Sequence, residues 1–112
     1  MTTPEVKRRG RLARGKKYAI RVEAALTNAG TEVVLLMWLP SSGCTVPKND
    51  SVVLAPGQGH TFTGTLPSCA AVLLIEMAPP DGGATEIEVT VDDERRDHSP
   101  AESGMVRWSY DV

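Results

Sequence analysis

Apolar and polar side chains alternate along most of this chain with a period of two. In the segment from Tyr18 to Leu26 every second side chain is apolar, and the segment from Glu86 to Val91 repeats the pattern. A period of two is typical of β-strands, because successive side chains point to opposite faces of a sheet. Seven such strands are predicted, at residues 18–27, 32–39, 51–55, 60–66, 70–77, 86–91 and 105–112.

Short strands separated by proline and glycine turns predict an all-β protein. No segment has the spacing of an amphipathic helix, so we expect a seven-stranded antiparallel β-sandwich over residues 18–112. The hydrophobic content of 41% is sufficient for one packed core in a chain of 112 residues. Residues 40–50 and 92–104 are polar, and both are predicted to be loops.

Two of the predicted strands are apolar on both faces. They are the segments from Val33 to Leu39 and from Val72 to Ile75. A sandwich strand needs only one apolar face, so the second must be covered either by the loop 40–50 or the N-terminal segment, or by another subunit. The residues predicted for a subunit interface are Val34, Leu36, Trp38, Val72 and Leu74.

The charges are distributed very unevenly along the chain. Residues 1–17 contain seven bases and one acid, a formal charge of +6, whereas residues 18–112 contain five bases and thirteen acids, a formal −8. The first segment is predicted to be a basic arm, flexible or ordered by a partner, and its cations are Lys7, Arg8, Arg9, Arg11, Arg14, Lys16 and Lys17. It could bind nucleic acid by neutralising phosphates, bind an acidic protein surface, or serve only as a solubilising tail.

The two cysteines are far apart in sequence but could meet in the fold. A hairpin turning at Pro56-Gly57 would place Cys44 opposite Cys69, within reach of a disulfide. Two prolines near the cysteines interrupt such a ladder, so both the bonded and the free state remain open. With only two histidines in the chain, neither a zinc site nor any cofactor is predicted.

No catalytic motif is recognisable, and we expect the protein not to be an enzyme. The chain has no nucleophile elbow, phosphate-binding loop or paired-histidine metal motif, and His60 and His98 stand alone. The acidic segment from Asp92 to Asp97 lacks the alternating ligand spacing of a calcium loop.

Two turns give the chain a resemblance to a known family. The turn Asn28-Ala29-Gly30 follows the first strand, and Leu54-Ala55-Pro56-Gly57 precedes a strand that contains Phe62. Because of these two turns, the segment of residues 18–77 resembles small bacterial immunoglobulin-like domains. The resemblance implies a sandwich of the immunoglobulin-like or jelly-roll-like type that serves for binding or spacing, and it carries over no catalytic residue.

These features together predict a structural protein that works by assembly. The basic N-terminus is not followed by the apolar region of a signal peptide, and no apolar run is long enough to span a bilayer, so we expect a location in the cytoplasm or in an intracellularly assembled particle such as a virion. The expected partners are protein subunits, identical or different, and nucleic acid is an option for the arm. The alternative is a stand-alone module that recognises a protein or carbohydrate through the loops 40–50 and 92–104.

Overall fold

The computed structural model describes residues 6–112, apart from the side chains of residues 70 and 71. This part of the chain contains β-strands joined by turns and loops, and it contains no helix. The strands are β1 (Val6–Arg11), β2 (Lys17–Ala24), β3 (Glu32–Pro40), β4 (Asp50–Leu54), β5 (Gly59–Thr65), β6 (Ala70–Met77), β7 (Thr85–Val91), β8 (Glu94–Ala101) and β9 (Val106–Asp111).

The strands form two sheets that pack face to face. One sheet has five strands in the order β1-β9-β6-β3-β4, and the other has four in the order β5-β2-β7-β8. All neighbouring strands are antiparallel except β1 and β9, which are parallel. The predicted all-β sandwich is therefore confirmed, but the described residues contain nine strands rather than seven.

The core lies between the sheets and is built from alternate positions of the central strands. Each central strand contributes every second side chain, as the period of two predicts. Aliphatic side chains provide most of the packing, and Trp108 and Tyr110 of β9 are buried among them. The largest fully buried side chains include Ile20, Leu36, Leu54, Leu73, Ile75 and Tyr110.

Strand β8 occupies most of the region that was predicted to be a loop, residues 92–104. Only Asp92 and Asp93 connect β7 to β8, and Val91 pairs directly with Glu94. Both aspartates have positive φ angles, 51° and 63°, which is the conformation of the two-residue type I′ hairpin turn. The strand was missed because β8 is a sheet edge whose side chains are mostly polar, so it lacks apolar alternation.

Strand β1 places much of the predicted basic arm inside the sandwich. Residues 6–11 extend the five-stranded sheet beside β9, and the amide of Leu12 continues the ladder by donating to the carbonyl of Asp111 at 2.7 Å. The Leu12 side chain is only 3% exposed and belongs to the core. The prediction of an arm outside the sandwich is therefore wrong for residues 6–12, and its first five residues lie outside the described part of the chain.

The turn from Ala55 to Gln58 has type II geometry, but it does not form the hairpin that was predicted. Gly57 has a φ of +80°, and the amide of Gln58 donates to the carbonyl of Ala55 at 2.9 Å. The turn connects β4 of one sheet to β5 of the other, so these strands do not form a hairpin. Leu26, which was predicted to be buried, is 84% exposed because β2 ends two residues earlier.

Candidate functional site

The outer face of the five-stranded sheet carries a continuous apolar surface. Cross-strand pairs connect its side chains, because Val33 lies opposite Val53, Met37 opposite Leu74, and Leu39 opposite Val72. Val33, Leu39 and Val53 are 52%, 45% and 58% exposed. We call this surface the outer apolar face, and it comprises Val33, Leu35, Met37, Leu39, Val53, Val72 and Leu74.

The interface prediction selected the wrong face of β3. Val34, Leu36 and Trp38 are 0%, 1% and 5% exposed and belong to the core, where the Trp38 ring lies 5.5 Å from the ring of Tyr18. The other two predicted interface residues, Val72 and Leu74, do lie on the outer apolar face and are half-buried. Because β3 is apolar at both odd and even positions, its periodicity could not show which set points inward.

The remaining part of this sheet surface, on β9 and β1, is charged. Arg107 donates from Nε to Oε2 of Glu76 at 2.7 Å, and Arg8 and Arg11 lie opposite Ser109 and Asp111 in the β1–β9 pair. Arg8 and Arg11 are both exposed. The sheet surface is therefore divided, with aliphatic side chains on β3, on β4 and in the first half of β6, and with charged side chains at Glu76 of β6 and on β9 and β1.

Arg9 points away from this surface and closes the edge of the sandwich. Its guanidinium donates to both carboxylate oxygens of Asp97 at 2.8 Å and to the hydroxyl of Ser99 at 2.9 Å, and it lies 4.2 Å from the centre of the Trp108 ring. The hydroxyl of Tyr110 donates to the same carboxylate at 2.8 Å. We call Arg9, Asp97, Ser99, Trp108 and Tyr110 the edge cluster, which ties β1 and β9 to β8 of the other sheet.

The edge cluster controls the ionisation of its members. Burial opposes ionisation of Asp97, but the hydrogen bonds from Arg9 and Tyr110 outweigh it and lower the pKa of this carboxyl below its ordinary value. Burial and the hydrogen bond to Asp97 raise the pKa of Tyr110. Arg9 was predicted to bind nucleic acid or an acidic protein surface, but in the fold it binds a carboxylate of the same chain. A bulge between Arg8 and Gly10 turns its side chain inward.

The other six predicted arm cations have different surroundings. Arg14 donates from Nε to the carbonyl of Val112 at 3.1 Å, and Lys16 forms an exposed ion pair with Asp92 at 3.6 Å. Besides Arg14, four of these cations form no ion pair among residues 6–112, and they are Lys7, Arg8, Arg11 and Lys17, all of them exposed. The unpaired positive charge is therefore smaller than the sequence suggests, and two of the four residues, Arg8 and Arg11, lie on the charged part of the same sheet surface, separated from β6 by β9.

Cys44 and Cys69 are unbonded and half-exposed. The amide and hydroxyl of Ser41 donate to the carbonyl of Cys69 at 3.0 and 2.7 Å, and the amide of Cys44 donates to the carbonyl of Ser41 at 3.2 Å. The pairing of β3 with β6, which ends at Pro40 and Ala70, brings the two cysteines together. Their proximity therefore does not come from the predicted β4–β5 hairpin, which does not exist.

A buried polar cluster beneath the turn at residues 25–31 was not foreseen. Glu32 is 3% exposed, and its Oε1 accepts hydrogen bonds from Asn28, at 3.3 Å, and from the hydroxyl of Thr85. The side-chain oxygen of Asn28 accepts from the amide of Ala84 at 3.0 Å, and its position leaves no room for a Cβ at Gly83. Oε2 of Glu32 is buried without a partner. The asparagine of the predicted turn therefore anchors the loop before β7.

The outer surface of the four-stranded sheet contains a shallow cavity of about 390 Å³. Its lining is rich in hydroxyl groups and includes two carboxylates. The principal lining residues are Lys17, Tyr18, Thr63, Thr65, Thr90 and Asp92. Among the described residues, no three His, Cys, Asp or Glu side chains come together as a candidate metal site.

Comparison with known proteins yields no significant match, whether with protein families, with curated proteins or with solved structures. No helix in residues 6–112 is long and apolar enough to cross a membrane. The geometry of the surfaces described above is therefore the basis for assigning a function.

Proposed function

We propose that the protein is a non-catalytic assembly subunit in which the outer apolar face packs against a second copy of the chain. The observation that carries the proposal is the continuous row of aliphatic side chains on the five-stranded sheet, three of which are about half exposed. Contiguous apolar patches on soluble monomers are uncommon and mark sites of association. The core does not need these side chains, since the opposite face of the same strands already fills it.

The division of the sheet surface favours a second copy as the occupant. A two-fold axis running along β3 would place the apolar half of one subunit on the apolar half of its partner, as an isologous interface requires. The charged halves on β9 and β1 would then lie at the rim, where polar groups are normally found in protein interfaces. An arrangement centred on β6 would bury Arg107 and Asp111 against aliphatic side chains, which is unfavourable.

The exposed cations at this rim are proposed to bind acidic protein surfaces of neighbouring subunits. Residues 18–112 have a formal charge of −8, so copies of the chain provide such surfaces themselves. Nucleic acid is the weaker proposal, because the affinity for phosphates depends on the number of protein cations that are available to neutralise them. Arg9, Arg14 and Lys16 already contact groups within the fold.

The proposal is tested by light scattering after size-exclusion chromatography, over concentrations that extend into the millimolar range. Leu39→Glu places a charge in the outer apolar face, and Leu26→Glu makes the same change at an exposed leucine that is not part of it. We expect the wild type and the Leu26 variant to form the same oligomer and the Leu39 variant to be monomeric. A monomeric wild type, or equal dissociation of both variants, would overturn the proposal.

The rim cations are tested separately with the double variant Arg8→Gln/Arg11→Gln. If these residues bind carboxylates of neighbouring copies, the variant should form weaker oligomers, and salt should weaken the wild-type oligomer more than the variant's. The control is Arg95→Gln, which removes an arginine from β8 in the other sheet. Binding of duplex DNA that falls steeply with salt and disappears in the double variant would instead assign the cations to nucleic acid.

A second candidate function, recognition of a carbohydrate, is favoured by the cavity on the four-stranded sheet. Its hydroxyl and carboxylate lining offers the hydrogen-bonding groups that sugars need. Recognition through the loops 40–50 and 92–104, which the sequence suggested, is not part of this proposal, because β8 occupies most of residues 92–104. Glycan-array binding that is lost in Thr63→Val would support this function, and a blank array would overturn it.

A further inference from the structure

The two cysteines meet in a setting that favours reaction with each other. Ser41 is hydrogen-bonded to the backbone of both, so the loop after β3 is held against the start of β6 at the position of the two thiols. Gly43, with a φ of +77°, makes the turn from Ser41 to Cys44. Both side chains are half-exposed, so a small molecule can reach either sulfur atom.

The two thiols differ in acidity. The neighbouring Cys69 thiol is the largest cause that lowers the pKa of the Cys44 thiol below its ordinary value, and Ser41 and the positive charge of Arg14 act in the same direction. The hydrogen bond to Cys44 raises the pKa of Cys69 above its ordinary value. A thiolate is the reactive form in disulfide exchange, so one cysteine is suited to attack and the other to retain its proton.

We propose that Cys44 and Cys69 form a thiol–disulfide exchange site that reacts with small disulfides such as oxidised glutathione. Cys44 is the attacking residue, and Cys69 completes the reaction. The product is an intramolecular disulfide between the loop after β3 and the start of β6. This site goes beyond the proposed assembly function, since the reaction needs no partner subunit.

The reaction is a two-electron oxidation in two steps. The Cys44 thiolate attacks one sulfur of oxidised glutathione, the disulfide bond of glutathione breaks, and one glutathione leaves as a thiolate. That thiolate takes a proton, and Cys69 loses its own proton and attacks the Cys44 sulfur of the mixed disulfide. The second glutathione leaves, so two protein thiols become one disulfide and one glutathione disulfide becomes two glutathione thiols.

The test uses the reduced full chain in buffers of oxidised and reduced glutathione, with acid quenching and intact-mass measurement under denaturing conditions. The wild type should lose two hydrogens and retain no glutathione. Cys69→Ser should stop at a single glutathione adduct on Cys44. Cys44→Ser should form its adduct on Cys69 more slowly at neutral pH than Cys69→Ser forms its adduct on Cys44, because less of the Cys69 thiol is ionised.

A further measurement on the wild type makes the result independent of how well the serine variants fold. A brief pulse of iodoacetamide on the folded wild type, followed by peptide mapping, should label Cys44 before Cys69, and this preference should vanish in urea. Glutathione adducts on both cysteines of the folded wild type would overturn the proposal. So would equal labelling rates, or disulfides between chains in place of the intramolecular one.

Discussion

Replacing one carboxylate oxygen of Asp97 should markedly lower the stability of the protein, because the edge cluster depends on this side chain. Asp97→Asn keeps the size of the side chain but removes the charge that accepts two hydrogen bonds from Arg9. The side chains of Arg9 and Asp97 are only 27% and 17% exposed, so water compensates incompletely for the lost pairing. The carboxylate also accepts from the hydroxyl of Tyr110, a residue that is 1% exposed.

The size of the effect follows from these contacts. A hydrogen bond to a charged group contributes about 1.5–3 kcal/mol, and loss of one member of a fully buried ion pair costs about 3–5 kcal/mol. The amide can still accept from Tyr110, and the pair with Arg9 is partly exposed, so we expect a loss of about 2–3 kcal/mol. For a domain of this size that corresponds to a fall in Tm of about 10 °C.

The same pair predicts how stability depends on pH. The pKa of Asp97 is lower in the folded protein than in the unfolded chain, so its contribution is complete above the unfolded value of about 3.9 and is lost as the pH falls through the folded value. The amide does not titrate. The difference in unfolding free energy between the wild type and Asp97→Asn should therefore be largest near neutral pH and shrink below about pH 4.

Urea unfolding of both proteins across this pH range measures the difference directly. The matched control is Glu94→Gln, the same carboxylate-to-amide change in an exposed pair with Arg96, which should cost at most about 0.5 kcal/mol. A loss for Asp97→Asn no larger than for the control would show that the edge cluster does not hold the two sheets together. A difference that stays constant down to acid pH would refute the electrostatic part of the reasoning.

Three further changes test other parts of the fold. Glu32→Gln should lower the unfolding free energy by less than about 1 kcal/mol or raise it, because the buried oxygen that it replaces has no hydrogen-bond partner. Glu32→Ala should lower it by about 2–4 kcal/mol in urea unfolding, because Asn28 and Thr85 lose their acceptor. Similar losses for the two variants would contradict the view that only one of the two oxygens is bonded. Asp93→Gly should raise the free energy of unfolding by about 0.5 kcal/mol and the Tm slightly, since glycine adopts the positive φ freely. A lower Tm would argue against the type I′ turn at Asp92-Asp93. Oxidation of Cys44 and Cys69 to a disulfide should stabilise the protein by about 3.5 kcal/mol from loop closure, and equal urea midpoints for the oxidised and reduced forms would count against it.

The strands that the sequence predicted correctly are those that bury one face. Strand β7, for example, alternates strictly between buried and exposed positions, so its period identifies both the strand and its inward side. Strand β8 could not be found in this way, because the side chains of an edge strand are mostly polar. Its one available signal was the Asp92-Asp93 pair, since aspartate tolerates the positive φ of a hairpin turn.

The existence of the outer apolar face could be predicted from the sequence, but the residues that form it could only partly be predicted. The sequence showed that β3 has a surplus of apolar side chains, but both faces of the strand carry them, and only the position of the second sheet decides which face is covered. Similarly, the seven clustered cations could be counted, but not their partners. Arg9 and Asp97 are far apart in sequence, and only the packing of β1 near β8 brings them together.

The position of β1 at the sheet edge gives its basic residues a role that does not depend on any ligand. An edge strand exposes unpaired backbone groups, and charged side chains on it hinder pairing with another chain. Lys7, Arg8 and Arg11 meet this need on β1, while the bulge at Arg9 sends one charge inward to close the sandwich. Edge-to-edge association through β1 is thereby disfavoured, whereas the exposed side chains of Val33, Leu39 and Val53 on the face of the same sheet carry no charge. In the assembly that we propose, the charge distribution that suggested a binding arm in the sequence would thus direct association to the face of the sheet, as an assembly of defined size requires.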